Sequence, residues 1–257
     1  KTFNAMYFIA HVNEFTSIQY DVNEDIVILS DLKHNNEEIK FSGGINNGDL
    51  IHVFLKDDYS RLSVLGKTVI DIGANIADTS IYFVVHGARK VIGLEPFPKN
   101  YQSAKKNIIL NNLGEKIKII QSGCASHIGQ ININAEQENN ILSQLRKSEY
   151  GISVPLVTLE SILEEFEIQN NAVLKIDCEG CEYEIILSAS DSVLRRFSDM
   201  QIEYHDGYKQ LQEKLEKCGF DVTNSTIFLI TVLFFIFVKF YDYFLDYDNY
   251  IKINKQK

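Results

Sequence analysis

The chain has 257 residues, 45% hydrophobic and 23% charged, which suffices for a large buried core and excludes a low-complexity or disordered class. A formal net charge of −10, with no basic run interleaved with aromatics, argues against nucleic acid as a partner. Four cysteines (Cys124, Cys178, Cys181, Cys218) are too few for a disulfide framework, and no signal-peptide pattern opens the chain, so a cytoplasmic location is expected.

Three regions follow from patterning: a β-rich extension over 1–66, an α/β domain over 67–224, and a C-terminal stretch over 225–257. In the extension, residues 26–29 read as a short strand. Asn47-Gly48 stands between the apolar runs at 39–41 and 50–54, and this predicts a hairpin.

The run Val69-Ile70-Asp71-Ile72-Gly73-Ala74-Asn75-Ile76-Ala77-Asp78 then organises the domain. A buried strand ends near Asp71, a tight turn is built on Gly73, and a helix starts near Asp78. Gly73 permits a backbone that a Cβ opposes and a close approach to the main chain. An acidic strand end repels a pyrophosphate but attracts the ammonium and sulfonium of S-adenosylmethionine. Ala77 is expected in an ordinary right-handed conformation, already entering the helix.

Residues 90–95 form a second strand, closed by Pro96, and Pro98 opens a helix reaching Asn111-Asn112; residues 116–121 are the third strand. This alternation is that of a parallel, doubly wound sheet. Glu95, at the end of the second strand, is placed to accept hydrogen bonds from ribose hydroxyls. Residues 130–135 alternate like a strand, 153–157 are expected to pair in the sheet, and 158–166 form a helix.

Residues 172–177 are a buried strand ending in Asp177, and Cys178-Glu179-Gly180-Cys181-Glu182 turns into a helix. The CxxC spacing lacks the second pair that zinc needs, so neither a redox nor a zinc role is expected, with Cys181 packing against the sheet. Residues 200–205 form another strand ending in Glu203 and His205, followed by a helix over 208–218 capped by Gly219 and a strand over 220–223. Ligands of open α/β sheets bind beyond the carboxyl ends of the strands. Asp71, Glu95, Asp177, Glu179, Glu203 and His205 all belong to that edge. The uncharged run at 227–238 is too short to span a bilayer and reads as a buried final strand, with membrane contact through 227–245 as the alternative.

The segments around Asp71–Ser80, Gly93-Leu94-Glu95-Pro96-Phe97, Leu174-Lys175-Ile176-Asp177-Cys178-Glu179-Gly180-Cys181-Glu182 and Ile202-Glu203-Tyr204-His205 resemble the FkbM family of S-adenosylmethionine-dependent methyltransferases. The resemblance implies a Rossmann-like class I methyltransferase fold, an α/β architecture with a mostly parallel seven-stranded sheet and a final antiparallel strand. It also implies O-methylation of a hydroxyl on a sugar or other small-molecule or glycan acceptor. Family members usually carry Gly where this chain has Ala77, and the run at 227–238 departs from the family's usual ending.

On this reading S-adenosylmethionine is the cofactor. Asp71, Gly73, Ala74, Asn75, Glu95, Pro96, Ser122, Gly123 and Asp177 are its candidate binding residues, with Glu95 on the ribose and Ser122-Gly123 beside the adenine. Replacing Asp71 or Glu95 by Ala is expected to abolish most cofactor binding and leave the fold intact. His205, Asp177 and Glu179 are the candidates for the general base that takes the acceptor proton. No metal is assigned, although the carboxylate–His cluster has donors suited to Mg²⁺. The competing readings are a degenerate binding or membrane-associated protein and, opposed by Asp71 and the absent third glycine, an NAD-dependent oxidoreductase.

Overall fold

A computed structural model describes residues 16–31, 38–43, 50–133, 151–226 and 249–255. At the start, β1 (Thr16–Asp21), β2 (Ile26–Asp31) and β3 (Glu38–Ser42) form an antiparallel meander. Ile18, Val27, Leu29, Ile39 and Phe41 are buried in it, the period of two expected of strands with one covered face.

The return strand predicted after Asn47-Gly48 is absent: Ile51–Leu55 is a π-helical turn, closed by the Lys56 amide on the Ile51 carbonyl at 2.8 Å. Ile51, Val53 and Leu55 are its buried residues, so its apolar pattern matches that of a strand. Periodicity alone does not separate the two over so short a run. The Asn47-Gly48 turn itself lies outside the described residues.

The α/β body follows in chain order. β4 (Thr68–Ile72), α1 (Asp78–Val85), β5 (Lys90–Leu94), α2 (Pro98–Leu110) and β6 (Ile117–Ile120) make the first half. A small second sheet contains β7 (Gly123–Cys124), β8 (Gly129–Ile133) and β9 (Ile152–Val157). Residues 153–157 thus pair outside the central sheet, in parallel with β7 and antiparallel to β8, which corrects the sequence expectation. The second half comprises α3 (Leu159–Glu165), β10 (Ala172–Ile176), α4 (Glu182–Ser188), α5 (Asp191–Leu194), β11 (Phe197–Glu203), α6 (Lys209–Lys217), β12 (Phe220–Thr226) and β13 (Asn249–Lys255).

The central sheet has the order β12-β13-β11-β10-β4-β5-β6. The five strands from β11 to β6 pair in parallel, and β13 lies antiparallel between β11 and β12. That strand comes from the end of the C-terminal stretch, where the sequence reading expected no strand, while the run at 227–238 lies outside the described residues. The sequence of β13 alternates, but only Ile251 and Ile253 are aliphatic, too weak a signal among lysines and asparagines. Along β4 successive residues serve opposite faces: Val69 joins the core under α1 and α2, and Ile70 and Ile72 join the core of the other face. Near-continuous burial of β4 and β10 is what a parallel sheet covered on both sides requires.

Candidate active site

The turn after β4 is shaped by close approach. Gly73 has φ +78°, and a Cβ there would lie 1.7 Å from the Asp177 carbonyl oxygen, so only glycine fits. The amides of Gly73 and Ala74 both donate to the Leu94 carbonyl, at 3.1 and 2.9 Å. Asn75 (φ 46°) and Ala77 (φ 67°) are left-handed. The expectation of a right-handed Ala77 is therefore corrected. Its amide donates to the Ala74 carbonyl at 2.7 Å, closing the turn before α1 begins, which leaves it at the N-cap instead of inside the helix.

Beneath the turn, Lys175 stands beside Asp71 in the parallel register of β10 and β4, with both side chains fully buried. The Lys175 ammonium lies 3.1 Å from Asp71 Oδ1 and donates to the Gly73 carbonyl at 2.7 Å. Asp71 Oδ2 accepts from Thr79 and Ser80 hydroxyls at 2.7 and 2.6 Å. Burial opposes the Lys175 charge, but Asp71, Asp177 and Asp78 outweigh it and hold its pKa above the usual lysine range. Asp71 is 0% exposed. It thus acts on the turn through Lys175, Thr79 and Ser80, so Asp71→Ala removes a support of the fold as well, contrary to the sequence expectation that the fold stays intact. Sequence reasoning passed over Lys175; the signal was a lysine inside the buried strand Ala172-Val173-Leu174-Lys175-Ile176.

Glu95, beyond the end of β5, is buried, and its two oxygens accept from the Asn75 and Phe97 amides, both at 2.9 Å. Burial lifts its pKa to about 8 against these two donors. Pro96 continues this buried loop. Past β6, Ser122 is buried, with a hydroxyl that has no hydrogen-bond partner among the described residues, and Gly123 begins β7. Gly93 lets α1 settle onto the sheet: a Cβ there would meet Ala74 Cβ at 3.0 Å and Ser80 Oγ at 3.1 Å.

Asp177, Glu179, Glu203 and His205 gather beyond β10 and β11. His205 is clamped between Glu179 (Nε2 to Oε2, 3.1 Å) and the fully buried Glu182 (Nδ1 to Oε1, 3.0 Å). The hydrogen bonds to Glu179 and Glu182 raise its pKa to about 10, so at neutral pH it is an imidazolium and cannot accept a proton. Glu182 is a second residue that sequence reasoning missed: it also accepts the Gly180 amide at 2.8 Å and so fixes the loop. For Asp177, burial favours the neutral acid, but the Lys175 charge and hydrogen bonds with Glu203 and Tyr59 prevail and keep it below the usual carboxylate range. The Tyr59 hydroxyl lies 3.4 Å from Asp177 Oδ2.

Cys178 and Cys181, for which neither a redox nor a zinc role was expected, are joined in a disulfide with Cα atoms 5.7 Å apart, and both pack against the core. Among the described residues no group of three or more His, Cys, Asp or Glu side chains is arranged to hold a metal ion, and no helix is long and apolar enough to cross a membrane. A cavity of about 540 Å³ opens at the opposite edge of the sheet, around Thr68, Lys90 and Phe166, and contains none of the residues gathered here.

The model of the methyltransferase FkbM domain matches residues 71–222, more than half of the chain. The methyltransferase sdnD of Sordaria araneosa is 24% identical over 193 residues, covering 61% of this chain and 74% of that protein. Uncharacterized protein 158B of Sulfolobus islandicus rod-shaped virus 1 is 24% identical over 159 residues, covering 62% and 73%. Among solved structures, methyltransferase FkbM from Methylobacillus flagellatus superposes with a TM-score of 0.50 at 14% identity, over 78% of this chain and 46% of that one.

Proposed function

Because this chain belongs to the FkbM methyltransferase family, whose methyl donor is S-adenosylmethionine, we propose that it methylates a hydroxyl of a sugar or other small-molecule or glycan acceptor. The observation that carries the donor site is the Glu95 carboxylate, held at the end of β5 by two backbone amides with the Asn100 side chain as a third donor, which leaves one of its about four acceptor positions for a further donor. The unpartnered Ser122 hydroxyl, at the end of the next strand, fits an adenine edge and supports the same placement. The residues present thus suit the cofactor. Glu95 and Pro96 would border the ribose, Ser122 and Gly123 the adenine, and the Gly73–Asn75 backbone with Asp177 the methionine end.

The donor supplies an electrophilic methyl on a sulfonium. What the chain contributes is position and charge. Asp71 and Lys175 lock the turn, Glu95 fixes the nucleoside, and the acidic edge orients the acceptor. Asp177 or Glu179 takes the acceptor proton in this reading: Asp177 is kept ionised with its side chain 30% exposed, and that of Glu179 is 21% exposed. The His205 imidazolium instead ties Glu179 to Glu182 and stiffens the loop. The chain's −10 charge disfavours a nucleic-acid acceptor.

Calorimetric titration with S-adenosylhomocysteine and, separately, with NAD tests the reading. Binding of the first with a 1:1 stoichiometry and none of the second is expected. Binding of NAD alone would overturn it.

A further inference from the structure

We propose that Asn107, on α2, is a positioning residue of the methyl-donor site through which the N-terminal sheet holds the 74–77 turn in shape. The proposal rests on the donor-site reading above. Among the described residues β3 pairs with β2 alone, and no described strand lies along its other edge. Two asparagines one helical turn apart on α2 close that edge. Asn111 acts as a strand would, accepting the Lys40 amide and donating to the Lys40 carbonyl, both at 2.8 Å. Asn107 Oδ1 accepts the Ser42 amide at 2.9 Å.

Asn107 does one thing more. Its Nδ2 donates at 2.9 Å to the carbonyl of Ile76, and the side chain is 0% exposed. Ile76 lies between the two left-handed residues Asn75 and Ala77, a conformation that asparagine tolerates but that alanine adopts only with outside support. On the far side of the turn the Asn75 amide donates to Glu95. A continuous path therefore runs from the Ser42 amide through Asn107 and the turn to the ribose-side carboxylate. The meander that supplies the Ser42 amide lies outside the matched residues 71–222.

Three variants test it. Asn107→Leu keeps the volume and removes both bonds. Ser42→Pro removes the donor from the sheet side together with the hydroxyl that accepts from Lys106, and Asn111→Leu breaks the attachment of Lys40 together with the bond from Asn111 to the Asn107 carbonyl. Two quantities are read: the dissociation constant for S-adenosylhomocysteine, and amide hydrogen exchange at residues 74–78 in the free protein. Asn107→Leu is expected to weaken binding at least tenfold and speed exchange in the turn. Ser42→Pro should do the same to a smaller extent, and Asn111→Leu should lower the melting temperature while leaving affinity and turn exchange within twofold of the parent. Unchanged turn exchange in both Asn107→Leu and Ser42→Pro overturns the proposal, as does an Asn111→Leu effect equal to that of Asn107→Leu. If Asn107→Leu does not fold, Ser42→Pro decides alone. A parent protein that shows turn protection but no ligand binding would instead overturn the donor-site reading.

Discussion

At the scale of single residues, the buried Asp71–Lys175 pair is the most consequential contact. Removing one partner of a buried ion pair leaves an uncompensated charge, at a cost of about 3–5 kcal/mol. Lys175→Met should therefore lower the urea-unfolding free energy by that order, and an effect under 1 kcal/mol would show the pair to be incidental. Ala77 gives a second test. Ala77 stands at the N-cap, where glycine is preferred to alanine and the helix-interior cost of glycine does not apply. At this left-handed residue the relief of strain, about 1–2 kcal/mol, offsets the added chain entropy and the lost methyl contact. Ala77→Gly is expected to leave thermal stability unchanged or slightly higher, and a clear loss would contradict φ 67°. His205 adds a pH signature. Its folded pKa, about 10, is above that of free histidine, so its contribution is complete below about pH 6.5 and is lost as pH rises toward 10. His205→Gln should flatten the parent's stability loss over that interval; parallel curves would mean the clamp is not formed.

At the scale of elements, β13 completes the sheet, pairing with β11 and β12 at once, and Ile253 is its described buried residue. Ile253→Ala should cost about 2–5 kcal/mol. A cost below 1 kcal/mol, measured by denaturant unfolding, would show that the strand is not held in the core. The sequence made the parallel strands legible because β4, β5 and β10 are nearly all apolar and end in acids. It hid β13 because a strand flanked by Lys and Asn, separated from β12 by more than twenty residues, has little local signal. The π-helical turn at Ile51–Leu55 was hidden for the opposite reason: its apolar alternation is real but non-specific. Of the site, the acids at strand ends could be read from position. The pairing of Asp71 with Lys175, and of His205 with Glu182, depends on register and on a loop fold that no local pattern encodes.

At the scale of the whole molecule, an acidic chain gathers several acids along one sheet edge, and among them burial lifts the pKa of Glu95 to about 8. Its folded pKa lies above its unfolded one, so its contribution to stability is present below about pH 4.5 and is lost as pH rises through about 8. Ribose hydroxyls donating to the carboxylate would favour the ionised form, so affinity for the donor should increase from pH 6.5 to 8 and level off above. The most direct measurement is a calorimetric titration of the parent and of Glu95→Ala with S-adenosylhomocysteine at pH 7 and 8.5. The account predicts tighter binding by the parent at the higher pH and a loss of at least tenfold, about 1.4 kcal/mol, in the variant at both. Equal affinity of Glu95→Ala and parent would contradict it.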